Sequence, residues 1–540
     1  MPISISALII RVQQRLNLTP VQRSMLRDGA IVLFLFLLAL ALRLPYLHDV
    51  PRYPWDELRE TRVALSILRG EAFPLTNFDG YIGALYNYIL AGAFLVFGEH
   101  PAIPHLVVAF ISSATAPVVY LFGKEIDNRT TGFIAATLLC CNAQQIFNGS
   151  HFGYSNSLTP AFTTLALWLI CRALKGKRPW SFVAGAFTFG LALQTHPTAV
   201  VLVPAIVTVF FLGGRPWLRG RWPVLVIGAA SLGCANVIAY NLTTFGGGVV
   251  AGLAQREIYA SGRPLTLGLY PAHFLRGIGM FLRLFEASGI WPSTPVPWWL
   301  ETLLLQVSPI CLLVGCVLLV LRRQYLIPIT LISSILLLPL LLGYQVDWYR
   351  YWMLALPPGL VAIAFGITSA VRWVGALRRS WPVYSVTALC VAILAAHPLP
   401  ALWRMYAVRS QVHPTNREMD RLAALVLNAV RPGEVVLIYE FILAQPKPDE
   451  SSEARTLSYL LLLSREGPSL MVLRESAESP FSFALAHPDQ TFLLVVPSST
   501  PIPDNMDHSV GAKANPFEID PRSPAKELRL AVTLVHFRSN

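Results

Sequence analysis

The sequence predicts an α-helical polytopic membrane protein with about eleven transmembrane helices, a juxtamembrane segment in the first outer loop, and a small α/β soluble domain at the C-terminus. Three observations predict it. Over 540 residues the chain is 54% hydrophobic and 13% charged, roughly half the charged fraction of a soluble globular protein. Apolar runs of about the 20 residues that cross a bilayer recur from Ala30 to Pro400. After Arg409 charges, prolines and short alternating patterns return. An ordinary cytosolic enzyme is excluded.

The N-terminal segment 1–28 carries Arg11, Arg15, Arg23 and Arg27 ahead of an apolar stretch too long for the core of a cleaved signal peptide, so it reads as a cytoplasmic segment before an uncleaved first span. A transmembrane domain follows over 29–409. Its candidate spans are 29–48, 103–123, 131–149, 157–174, 181–195, 198–213, 223–241, 300–321, 326–344, 351–371 and 382–400. The further apolar segment 81–98 decides the topology. If it does not cross, the basic turns at Lys124/Arg129, Arg172–Arg178, Arg215–Arg221, Arg322/Arg323 and Arg372–Arg379 all fall on the same side as the basic N-terminus; if it crosses, all are inverted. With Tyr81, Tyr86, Asn87 and Tyr88 it suits an interfacial segment within the outer loop 49–102. The formal charge of +12 is thus spent on orienting spans, and nucleic acid is not an expected partner; membrane lipids are. The seven cysteines lie in or beside apolar runs and imply no disulfide framework.

This topology gathers polar groups on the outer side. The first outer loop leads through Trp55-Asp56-Glu57-Leu58-Arg59-Glu60 into a helix; adjacent acids beside hydrocarbon must be solvated, paired or used, and Asp56 also suits the N-cap of that helix. His151, Tyr154 and Asn156 lie between the spans 131–149 and 157–174, and His196 between 181–195 and 198–213. A lone histidine is more often a hydrogen-bonded structural residue than a ligand or base, and neither is read as a metal ligand. No H-x-x-x-H spacing is present, and a divalent metal ion is left open as a cofactor. Between the spans 326–344 and 351–371 runs Asp347-Trp348-Tyr349-Arg350-Tyr351, which is either an aromatic belt with an arginine reaching for headgroups or a grip on the phosphate of a lipid-linked substrate. A large outer loop, 242–299, is expected to cover the acceptor side.

A first span ending in Arg43-Leu44, then Asp56-Glu57-x-Arg59 leading a helix, Phe97-Gly98, Tyr120-Leu-Phe-Gly123 with its basic turn, and Arg350-Tyr351 running to Leu356-Pro357 together resemble the GT-C class of membrane glycosyltransferases. The likeness is to the branch holding protein O-mannosyltransferases and the aminoarabinose transferase of lipid A, family 39-like, over residues 29–400. The resemblance implies a GT-C fold and transfer, with inversion, of a hexosyl or pentosyl group from a polyprenyl-phosphate donor to a lipid, glycan or protein acceptor. It makes Asp56 the catalytic base with Glu57 as a supporting or alternative acid, and puts Arg59 and Arg350 on the donor phosphate. His151, Tyr154, Asn156, His196 and Tyr349 are then candidate donor or acceptor contacts. Aminoarabinose transferases carry a lysine in a Lys-Pro turn where this chain reads Asn77-Phe78-Asp79-Gly80-Tyr81, so that phosphate contact is not carried over.

Residues 410–540 read as an extracytoplasmic α/β domain: a helix over 417–430, strands at 434–439, 469–473, 491–497 and 528–537, a helix at 452–464, and a proline-rich loop at 498–527. The general pattern points to a bacterial inner (plasma) membrane. Two rival classes remain: a transporter or lipid flippase, for which neither an internal repeat nor midplane acids are seen, and an O-antigen ligase or polymerase acting on a pyrophosphate carrier.

Overall fold

The first long helix begins at a reciprocal cap: Gln22 N–H donates to Thr19 Oγ1 at 3.3 Å and Thr19 N–H to Gln22 Oε1 at 2.9 Å, with Pro20 in the first turn. In the computed structural model it runs over Pro20–Arg43, about 36 Å at 1.5 Å per residue, against roughly 30 Å of hydrocarbon. The structure describes residues 19–45, 47, 55–218, 220–260, 267–285, 298–377, 391, 392, 399, 416–431, 434–439, 470–473, 491–497, 508–514 and 532–538.

Among the described residues five helical segments are long and apolar enough to cross a membrane: Pro20–Arg43, Ala102–Ile126, Ser155–Gly176, Leu326–Asp347 and Tyr349–Trp373. A sixth arises if Trp222–Gly233 and Ala235–Thr243, bent by 76°, act as one. The chain is an integral membrane protein. Five of the expected spans fall on these helices and 223–241 on the bent pair. The spans 131–149, 198–213 and 300–321 fall on shorter apolar helices, and 181–195 on the 17-residue helix Pro179–Thr195. The span 382–400 lies almost wholly outside the described residues, which hold helices at the other ten expected spans. Helix Leu85–Phe97, in the segment expected not to cross, has 13 residues, about 20 Å.

Close backbone approach sets part of the packing. A Cβ on Gly233 would lie 2.2 Å from Phe187 O, and one on Gly190 would lie 2.2 Å from Ala230 O, so only glycine at both positions lets these two helices touch. Charge sets another part. Asp28 of the first helix accepts from Tyr120 (2.6 Å), Lys124 (2.5 Å) and Arg129 (2.7 Å), while Asp127 faces Arg322 (3.4 Å) and Arg372 (3.0 Å). Lys175 Nζ joins them through Glu125 O and Ile126 O. Basic turns that the parity argument assigned to one side therefore do meet at one end of the bundle.

The loop 242–299 is more ordered than a plain connection: Gly247–Ala260 and Tyr270–Arg283 are helices. The second is tied to helix Leu326–Leu342 by Tyr270 Oη donating to Leu336 O at 2.9 Å, and to the next turn by the Arg276–Asp347 ion pair.

Beyond residue 410 come helix Asn416–Ala429 and a five-stranded sheet of β1 (Val435–Tyr439), β2 (Leu470–Leu473), β3 (Thr491–Pro497), β4 (His508–Ala514) and β5 (Val532–Arg538), in the order β2-β1-β3-β5-β4. β1 is parallel to β2 and β3, with Leu437 opposite Met471 and Leu494; β5 is antiparallel to β3 and β4. The near-continuous apolar run of β3 suits a central strand covered on both faces, and Phe492, Leu493 and Leu494 are buried. One expectation is corrected: within the supposed loop 498–527, residues 508–514 form edge strand β4. Its small side chains and the bulge between Val510 and Ala512 weaken the alternation that announces a strand. The expected helix 452–464 lies outside the described residues.

Candidate active site

Helix Trp55–Leu68 opens with Asp56 and Glu57, acids at the positive end of the helix dipole. Adjacent helical residues point about 100° apart, whereas residues four apart share a face. Asp56 and Glu60 accordingly line one polar cavity, together with Asn77, Asp79, Tyr81, Tyr154, Asn156, His196, Arg350 and Tyr351. Glu57 turns away. It is fully buried, with Oε1 at 2.8 Å from His105 Nε2 and Oε2 accepting from Gly153 N–H at 2.9 Å.

That contact fixes the turn bearing Tyr154. A Cβ on Gly153 would sit 2.6 Å from Pro104 Cβ and 2.8 Å from Glu57 Cδ. Gly153→Val is therefore expected to destabilise the protein by about 1–3 kcal/mol, read as a lowered thermal midpoint in detergent. Gly92→Ala, where a Cβ meets nothing within 4 Å, should leave the midpoint unchanged or higher.

Arg350 reaches the site from the short turn Tyr349–Tyr351, which is held by the buried Trp352 indole N–H donating to Val346 O at 2.8 Å. Its Nη1 donates to Asp56 Oδ2 at 2.8 Å and its Nη2 to Tyr351 Oη at 3.0 Å. Its guanidinium carbon lies 4.6 Å from the Trp348 ring centroid, 4.9 Å from Tyr351 and 5.3 Å from Tyr154, three faces that stabilise a cation and fix its plane. Buried Arg350 Nε and Asn156 Nδ2 have no hydrogen-bond partner among the described residues; such donors await an acceptor.

The third wall is the turn 75–83. Asn77 N–H donates to Ile82 O and Asp79 N–H to Asn77 Oδ1, with Gly80 supplying a positive φ of 75°. Glu60 anchors this turn: it accepts from Asn77 Nδ2 (3.1 Å), Asn87 Nδ2 (2.5 Å) and Ser155 N–H (3.4 Å). Burial pushes its carboxyl up to about 7 against those three donors. Burial and the nearby charge of Asp56 push Asp79 up to about 6, although Arg59 stands 3.9 Å away. Arg59 itself is half exposed and lies over the Phe78 ring at 4.9 Å, so it pairs with Asp79 rather than with Asp56.

Two wider cavities flank the polar one. One, about 440 Å³, shares Asp56, Tyr154 and Arg350 with it and adds Phe152, Asp347, Trp348 and Tyr349. The other, about 360 Å³, shares Tyr81, His196 and Tyr351 and is otherwise largely aliphatic, with Leu193, Pro197, Val200, Leu341 and Leu342. Of the candidates read from the sequence, Asp56, Arg350, Tyr154, Asn156 and His196 meet at the central cavity, and Tyr349 lines the aromatic one. His151 does not: it is buried, stacked 5.5 Å from Phe147, with Nδ1 at 2.7 Å from Ser150 Oγ. Glu60 and Asp79 are cavity acids the reading missed; the four-residue interval from Asp56 was the available signal for Glu60. Among the described residues no three His, Cys, Asp or Glu side chains group to hold a metal ion.

The structure is similar to that of ArnT from Cupriavidus metallidurans bound to undecaprenyl phosphate, with a TM-score of 0.53 at 12% identity, covering 94% of this chain and 98% of that one. This chain has the GT-C fold. The apo form of the same ArnT gives a TM-score of 0.52 at 11% identity, over 96% of this GT-C chain and 98% of that one. Residues 83–240 match the family described as dolichyl-phosphate-mannose-protein mannosyltransferase. The chain thus resembles the GT-C membrane glycosyltransferases, as its motifs implied. No curated protein matches the chain by sequence.

Proposed function

We propose that the protein is a glycosyltransferase that moves a sugar, with inversion, from a polyprenyl-phosphate carrier to a lipid, glycan or protein acceptor on the outer face of the membrane. One observation carries this reading. Asp56 and Arg350, 294 residues apart, meet at 2.8 Å where the polar cavity opens into the aromatic one. A base belongs between sugar and acceptor, and a guanidinium belongs beside a departing phosphate. The likeness to an ArnT bound to undecaprenyl phosphate supports a polyprenyl-phosphate donor.

On this reading the isoprenoid chain occupies the aliphatic cavity, the phosphate and sugar the polar one, and the acceptor comes through the aromatic one. Asp56 takes the acceptor's proton as its oxygen bonds to the anomeric carbon. The bond from that carbon to the phosphate oxygen breaks, and Arg350 stabilises the charge left on the phosphate. Arg59 holds Asp79 and with it the turn beside the sugar. The segment 81–98 stays at the outer face, which puts the N-terminus in the cytoplasm and residues 410–540 outside, in a bacterial inner membrane.

The test is to follow the carrier. Purified protein given a polyprenyl-phosphate sugar and a total envelope extract should release free polyprenyl phosphate in step with labelled product of inverted anomeric configuration. Release of a pyrophosphate carrier would favour the ligase class, and movement of lipid across proteoliposomes with no bond broken would favour a transporter.

A further inference from the structure

Where the polar and aliphatic cavities meet, His196 lines both. Its ring is fixed. Nδ1 accepts from Thr198 N–H at 3.2 Å and lies 2.9 Å from Thr198 Oγ1, capping the short helix Pro197–Leu202. Tyr351 lies tilted at 4.9 Å on one side and Tyr81 meets the ring edge-on at 6.4 Å.

The capping bond decides the tautomer. A backbone N–H can only donate, so Nδ1 carries a lone pair, and the proton of a neutral imidazole sits on Nε2, at the ring edge turned away from the cap. Burial, reinforced by the charge of Arg350, lowers the ring to about 3 and keeps it neutral. The imidazole therefore cannot serve as the base of the reaction, its lone pair being engaged. What it offers the cavities is one N–H, held in position by the cap and two rings.

We infer that His196 is a substrate-binding residue whose Nε2–H donates to a phosphate oxygen of the lipid-linked donor, at the point where the isoprenoid chain gives way to the sugar phosphate. The inference rests on the proposed polyprenyl-phosphate donor and adds a neutral donor to the charged one from Arg350. The two divide the labour: Arg350 answers the charge that grows as the bond breaks, whereas a neutral N–H fixes where the phosphate sits before it does. Loss of the N–H should therefore weaken binding of the carrier more than it slows the chemical step.

Two substitutions separate binding from capping, because an asparagine amide overlays the Nδ1 end of the ring and a glutamine amide the Nε2 end. The full-length protein in detergent is titrated with undecaprenyl phosphate, read by the fluorescence of its tryptophans, Trp348 lying against Arg350. His196→Asn should keep the thermal midpoint and weaken binding by about tenfold. His196→Gln should bind within about threefold of the wild type and melt lower. Wild-type affinity in His196→Asn, with lost affinity in His196→Gln, would reduce His196 to a cap and overturn the inference. Inorganic phosphate competing as well as the lipid does would overturn the placement at the boundary. If the wild type fails to bind undecaprenyl phosphate at all, the donor reading itself falls, an outcome distinct from equal binding by wild type and Asn variant.

Discussion

Replacing Asp56 by asparagine should cut sugar transfer by about 10²- to 10⁴-fold, the usual worth of a positioned general base. The substitution keeps the volume and one hydrogen-bond acceptor for Arg350 Nη1, so donor affinity should change far less than turnover. Asp56 has a second task in the resting site, as the carboxylate opposite Arg350 at 2.8 Å. If pairing were its whole purpose, Asp56→Asn would act by loosening Arg350, and the loss would appear in donor binding. Single-turnover rates at saturating donor separate the two. Near-normal turnover by Asp56→Asn would remove it from the chemistry.

Arg350→Gln is the second large effect, expected at about 10²- to 10³-fold in turnover, as for removal of one preorganised donor to a developing anion. Arg350→Lys tests which property matters. A lysine keeps the charge but loses the planar fork that faces Asp56 and Tyr351 together and stacks between Trp348 and Tyr154. Lysine is expected to recover donor binding in part and turnover little. Because the two side chains touch, Asp56→Asn and Arg350→Gln should combine less than additively, measured as a double-mutant cycle on transfer rate. Full additivity would mean that the pair does not act as a unit.

Much of the site was readable from the sequence because charge parity is a one-bit question: once 81–98 is kept from crossing, Asp56, His196 and Arg350 must share a side, whatever the details of packing. What it could not supply was rotation. Asp56-Glu57 reads as a pair of equivalent acids, but where the helix starts decides which faces the cavity; Glu57 went to His105 and Gly153, and Glu60 took the place beside Asp56. Asp79 was noticed as a departure from a family lysine, yet its approach to Asp56 needs the tight turn at Gly80. Span lengths suffered for a related reason: the break at Cys234, inside the expected span 223–241, is invisible to a window that counts apolar residues. Strand β4 was lost among prolines, since His508–Ala514 carries Val510 as its one large apolar residue and so shows little alternation.

The clusters around Asp28 and Asp127 have a bearing on biogenesis. Lys124, Arg129, Arg322 and Arg372 are held against two carboxylates, which offset half of their charge, once the helices have come together. In the nascent chain, before the partner segments arrive, the same cations stand free for the insertion machinery to sense. On the proposed topology one set of side chains would work twice in sequence, as a retention signal while each hairpin enters the lipid and then as a latch that closes when distant hairpins have found one another. Defects at the two aspartates would accordingly surface as correctly threaded but unassembled protein, open to quality-control proteolysis.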